Sequence, residues 1–118
     1  MSYDISLVDP VTKETLHSDK PHNCRGGTYA VGGTTQLYLN VTWNYAKTLY
    51  RILGPNGIRS LYGKTGAESL PMLKEAISKL GDDINADYWK ECDGNVKRCL
   101  STLLAFAQLR PDGVWEGD

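Results

Sequence analysis

Gly26-Gly27-Thr28 and Gly32-Gly33-Thr34 repeat one tripeptide a few residues apart, the first directly after Arg25 and the second directly before Thr35. Paired glycines let the backbone take positive φ and turn successive N–H groups toward one point. Ahead of a helix, such amides form an anion cradle, helped by the partial positive charge of the helix start. Arg25 adds a planar fork of donors suited to a phosphate, and Thr28, Thr34 and Thr35 add hydroxyls. The spacing matches neither the phosphate-binding loop of nucleotide hydrolases nor the dinucleotide fingerprint. The chemistry in view is therefore the holding of an anion, with sharp turning as the plainer use of the same glycines.

A second group follows. On a helix, Asn40 and Asn44 stand one turn apart, and Lys47 and Arg51 continue the row. The amides can read the edges of a base or ribose, the cations can take charge, and Trp43 at the border can stack. Asparagine is not a favoured helical residue, which gives the pair weight against a merely solvated face. A third group is Tyr88-Trp89, in a stretch with loop composition, followed by Asn95 and Lys97 at the start of an apolar-striped segment. Loop aromatics either close over ligands or pack as satellite core. Other chemistry is thinly supported. His17, His22 and Cys24, with Cys92 or Cys99, follow no zinc spacing, and His22 beside Cys24 lacks a third group to orient it as a base. No catalytic residue, metal or cofactor is assigned.

These residues need elements to position them. Residues 3–17 read as a β-hairpin, because Tyr3, Ile5 and Leu7 alternate with polar residues and Asp9-Pro10 supplies a turn. Residues 18–27 read as a loop, and 28–31 as a short strand between glycines. Residues 36–41 are ambiguous, since Leu37, Leu39 and Val41 alternate. A helix over 36–53 explains more residues: Tyr38, Val41, Thr42, Tyr45, Leu49 and Ile52 share one face at 100° per residue. Thr34 or Thr35 caps it, and Gly54-Pro55 ends it. Residues 55–63 form a turn and a short helical segment. A further helix spans 70–80 with Ser69 as its cap, and a last one spans 94–109 with Asp93 as its cap and Pro111 beyond its end. The expectation is an α+β fold, an N-terminal β-hairpin or small antiparallel sheet packed on three amphipathic helices plus a short helical turn.

The chain has 118 residues, 41% of them hydrophobic, and a formal net charge of -1. One domain is expected, β-rich with a glycine loop over 1–34, helical over 35–110, and an acidic tail over 111–118. The charge balance offers no general attraction for duplex nucleic acid. No apolar run reaches membrane-spanning length, and the first residues do not read as a secretory signal. Three cysteines at no recognised spacing read as reduced thiols, so a cytoplasmic setting is expected and the Asn40-Val41-Thr42 sequon reads as accidental.

Several strings carry a resemblance: the glycine stretch 25–34, Asn40-Val41-Thr42-Trp43-Asn44-Tyr45, Gly57-Ile58-Arg59 with Leu61-Tyr62-Gly63, Leu70-Pro71-Met72-Leu73, and Pro111-Asp112-Gly113. Together they resemble small uncharacterised proteins encoded by phages and prophages, over nearly the whole chain. The resemblance carries no established activity. It implies the host cytoplasm, and a role as a binding protein that counters host defences by sequestering a nucleotide signal or by blocking a host protein. The leading expectation is a non-enzymatic protein that holds a small phosphate-bearing, nucleotide-like ligand between the three groups above. A homo-oligomer is expected from the aromatics left outside the helical stripes. The alternative is an inhibitor of a host protein, docking through Trp115, Tyr50 and the acidic tail.

Overall fold

A computed structural model describes residues 2–28 and 30–118. Five strands and three α-helices follow in the order β1 (Ser2–Val8), β2 (His17–His22), β3 (Thr34–Gln36), β4 (Tyr38–Thr42), α1 (Ala46–Leu53), α2 (Gly66–Ser78), α3 (Asp93–Leu109) and β5 (Val114–Gly117). Short 3-10 turns at Trp43–Tyr45 and Gly57–Leu61 flank α1. The architecture is α+β, as expected.

The main sheet has the order β4-β1-β5, antiparallel throughout. Its register follows from the alternation in β1. Tyr3 faces Val41, Ile5 faces Leu39 and Leu7 faces Trp115, so these side chains share one face, and all are buried. The same core continues into Leu73 and Ala76 of α2 and Leu100, Leu103 and Phe106 of α3. The opposite face is polar. Asp4 Oδ1 accepts from Tyr38 Oη at 2.5 Å and from Asn40 Nδ2 at 2.9 Å. Both bonds hold the Asp4 carboxyl below the usual carboxylate range, the tyrosine bond contributing most.

The expected helix over 36–53 is only half correct. Residues 38–42 are extended and pair with β1, and the helix begins at Ala46. The alternation of Leu37, Leu39 and Val41 won because a waiting hydrophobic strand gave it a partner; β-branched and aromatic residues lose rotamer freedom in a helix and little on a pleated surface. Thr42 makes the change of direction, its side chain accepting from Asn44 N at 3.2 Å. Thr34 and Thr35 are therefore strand residues and not caps. Gly54, at φ 96, ends the helix where expected.

The expected hairpin forms only at its turn end. Asp9 turns the chain, its carboxylate accepting from Val11 N and Thr12 N at 2.8 and 2.9 Å. The returning arm meets β1 only at the Val8–Thr15 bridge and the Leu16 N to Leu7 O bond. It then leaves to form a two-stranded sheet, β2 with β3, in the stretch read as loop. His17, Asp19, Lys20 and Pro21 in β2 are exposed and the other two residues half-buried, so no alternation announced it. The expected strand over 28–31 includes Tyr29, which lies outside the described residues; Ala30 and Val31 belong to no strand, and Gly33 N bonds to Ala30 O in a turn.

The helix expected at 70–80 starts earlier, at Gly66. Thr65 and Glu68 form a reciprocal capping box. Ser69 lies within the first helical turn instead of capping it, fully buried, with Oγ donating to Gly66 O and accepting from Trp115 Nε1 at 2.9 Å. Asp93 is the first residue of α3, not its cap; its carboxylate takes Arg51 at 3.0 Å and Gly81 N at 3.0 Å. The acidic tail is not free: β5 lies within it, and Trp115 is 0% exposed. Docking of Trp115 on a host protein is therefore corrected, because its indole fills the core between sheet and α2. Among the described residues no helix is long and apolar enough to cross a membrane.

Candidate functional site

Residues 23–28 cross the side of β4 that β1 leaves open. Gly26 sits at φ +82, and a Cβ there would lie 1.8 Å from the Asn40 carbonyl oxygen. A Cβ on Gly27 would lie 2.4 Å from the Trp89 ring. The first glycine pair is thus demanded by close approach on two sides, not only by turning.

The opposite wall is the loop over 81–92, and it is tied down by side chains that the sequence marked for ligand contact. Asn95, 3% exposed, donates to Asp87 O at 3.0 Å and Lys90 O at 3.1 Å, and accepts from Asn85 N at 3.1 Å. Asn44 donates to Trp89 O at 2.7 Å. Tyr88 Oη donates to Asn40 O at 3.2 Å, and Tyr45 Oη donates to Tyr88 O. Glu91 accepts from both Thr48 N and Thr48 Oγ1.

Between these walls and the exposed side of α3 lies a cavity of about 580 Å³. The chain on one side supplies Asn23, Arg25 and Thr28; the other supplies Asn85 and Tyr88; α3 supplies Arg98 and Thr102; Leu39 and Cys99 lie at the apolar base. Among the described residues no carboxylate lines it. Burial raises the Tyr88 and Tyr45 hydroxyls and pushes the Cys99 thiol up to about 12, so all three stay protonated and neutral at ordinary pH. The charge of the cavity is therefore that of two guanidiniums. Of the five arginines in the chain, Arg51, Arg59 and Arg110 each hold an aspartate at 2.9–3.0 Å. Arg25 and Arg98 have no carboxylate partner among the described residues, and both line this cavity.

Six of the expected site residues meet here: Arg25, Gly26, Gly27, Thr28, Tyr88 and Asn95. The others do not. Trp89 supports Gly27 from outside the lining. Asn44 holds the 81–92 loop through the Trp89 carbonyl. The Asn40 side chain points to the far face of the sheet, toward Ser2 and Asp4, because a strand separates it from Asn44 where a helix would align them. Trp43 stacks on Tyr3 with ring centroids 5.5 Å apart, and the Arg59 guanidinium lies over both rings. Lys47 is exposed on α1, away from the lining. Thr34 and Thr35 bond within the small sheet, Thr35 Oγ1 to His17 Nδ1 at 2.7 Å. Sequence reasoning missed Arg98, Asn23 and Asn85. Asn95, Arg98 and Thr102, at i, i+3 and i+7, fall in one polar sector of α3 beside its apolar stripe, a signal that was there to be read.

The weighed cysteine–histidine pair is differently engaged: His22 Nδ1 accepts the backbone N–H of Cys24 at 3.2 Å, and Nε2 donates to Gln36 O at 2.8 Å. Among the described residues no three His, Cys, Asp or Glu side chains gather as a metal site. Compared with protein-family models, curated proteins and solved structures, the chain finds no match.

Proposed function

We propose that this is a non-enzymatic binding protein that sequesters a small phosphate-bearing, nucleotide-like ligand in the cavity between residues 23–28, the 85–88 stretch and α3. One observation carries the reading: the two arginines without an aspartate line the same acid-free hollow. A guanidinium presents planar donors that match phosphate oxygens in pairs. Thr28 and Asn23 add neutral polar groups on one side, and Tyr88 adds aromatic surface for a base on the other. The site is broader than the sequence suggested and is centred on α3 rather than on a helix starting at residue 36.

The test is calorimetric titration of adenosine monophosphate and inorganic phosphate into native protein and the variants Arg25→Ala, Arg98→Ala and Arg51→Ala. Each cavity variant should weaken binding by about ten- to a hundredfold, the value of one charge-assisted bond. Arg51→Ala should bind as the native protein does. Equal affinity across all four proteins would remove the cavity from the function.

A further inference from the structure

A second hollow, of about 390 Å³, adjoins the first and shares Arg98 and Thr102 with it. The reason lies in the helix. Along α3, Asn95, Cys99 and Thr102 form one row and Gly94, Lys97 and Ser101 form the next, spaced by one turn or nearly so. Arg98 stands on the ridge between the rows. The covering loop is shared as well: Asp82 and Ile84 border the second hollow, and Asn85 and Tyr88 border the first. A Cβ on Gly94 would lie 2.4 Å from Asp83 O, so the loop is pressed onto α3 at this crossing.

The two hollows differ in charge. In the second, Lys97 Nζ and Asp82 Oδ1 pair at 2.7 Å and cancel. Ile84, 59% exposed, offers an apolar lip, and Ser101 a neutral hydroxyl. Positive charge is left only at Arg98 on the ridge and at Arg25 in the first hollow. This arrangement fits a ligand with its anion in the middle and uncharged groups on both sides. Resting on the anion-site reading above, we infer that the ligand is a phosphodiester, its phosphate at Arg98 and Arg25 and its two neutral arms lying one in each hollow, as in a dinucleotide. A terminal phosphate monoester would leave the second hollow unused.

The experiment compares two monoanionic diesters by calorimetry: the dinucleoside monophosphate of adenosine, and adenosine 5′-methyl phosphate, in which a methyl replaces the second nucleoside. The dinucleotide should bind at least about tenfold tighter to the native protein. Ser101→Trp, which fills the second hollow from an exposed helical position, should erase that advantage and leave the methyl ester's affinity unchanged. Ile84→Ser, which removes the apolar lip without adding bulk, should reduce the advantage. Equal affinities of the two probes, or an advantage untouched in both variants, overturns the inference; if both probes still depend on Arg25 and Arg98, the anion site itself stands. Failure of both probes to bind native protein overturns the site and this inference together.

Discussion

The two Gly-Gly-Thr units have the same residues and different duties. At Gly26-Gly27 the backbone is pressed between a strand carbonyl and an indole ring: a methyl on Gly26 collides with the first and one on Gly27 with the second. At Gly32, also at positive φ, an added Cβ meets nothing within 4 Å. A Cβ on Gly33 would lie 3.0 Å from Pro21 Cβ and otherwise only 3.4 and 3.6 Å from the Asn23 side-chain oxygen and the His22 carbonyl. The first unit is a wall of the cavity; the second is a turn into β3. A tripeptide takes its role from what packs against it, and the first unit is a cavity wall because β4 and the 81–92 loop close on it.

The contrast can be broken most sharply at Gly26. Gly26→Ala puts a Cβ 1.8 Å from a backbone oxygen at a strained φ, and should cost on the order of 3 kcal/mol or more in denaturant unfolding. Gly27→Ala meets a half-exposed ring able to shift, so the cost should be about 1–2 kcal/mol, with ligand affinity reduced because the wall moves. Gly32→Ala should cost only the left-handed penalty of about 1 kcal/mol and leave calorimetric binding unchanged. Equal costs at Gly26 and Gly32 would show that turning is the only requirement at both.

Thiol chemistry sharpens the comparison next. Cys24, exposed at the head of the first unit, should react with a disulfide reagent in the folded protein. Cys99, buried at the cavity base with its thiol pushed up to about 12, should react only on unfolding. Saturating adenosine monophosphate should slow Cys24 several-fold and leave the half-buried Cys92 unaffected; equal protection of both would point to a global effect rather than occupancy of the cavity.

The smallest effect is acidic. Asp4 grips Asn40 from the far face of the strand on which Gly26 lies. Its carboxyl is depressed in the folded protein, so its contribution is complete above the ordinary carboxylate value of about 4 and is lost as pH falls through the lower folded value. Melting temperatures of native protein should fall over that window, and Asp4→Asn should start lower and fall less. Parallel curves for the two proteins would show that Asp4 is not a source of the slope.

Much of the fold was legible because some segments carry their own evidence. The alternation in β1, the stripe of α3 and the stop at Gly54 are properties of short windows. Residues 38–42 satisfied both periods at once, and only the presence of β1 beside them decided the matter. β2 carried no apolar pattern and exists because His17 and His22 bond to β3. Trp115 looked like a loose tail residue, since a four-residue strand at the end of the chain shows too few positions to reveal alternation. In the site, Arg25, Gly26, Gly27 and Thr28 were readable from glycine chemistry, and Tyr88 from its loop, whereas Asn40, Trp43, Asn44 and Lys47 were grouped by a helix whose first half does not form.

By itself the sequence determined local conformations: where glycine permits positive φ, where a helix begins and ends, and which residues carry charge. These depend on sterics and hydrogen bonds between neighbours in the chain. Which arginines lack a carboxylate, which glycines must lack a Cβ, and which polar face borders a hollow were decided only in three dimensions. Apart from Arg110 with Asp112, those are relations between residues distant in the chain, such as Gly27 with Trp89 and Arg51 with Asp93, set by strand pairing and by packing around one core, and no short window of sequence contains both partners.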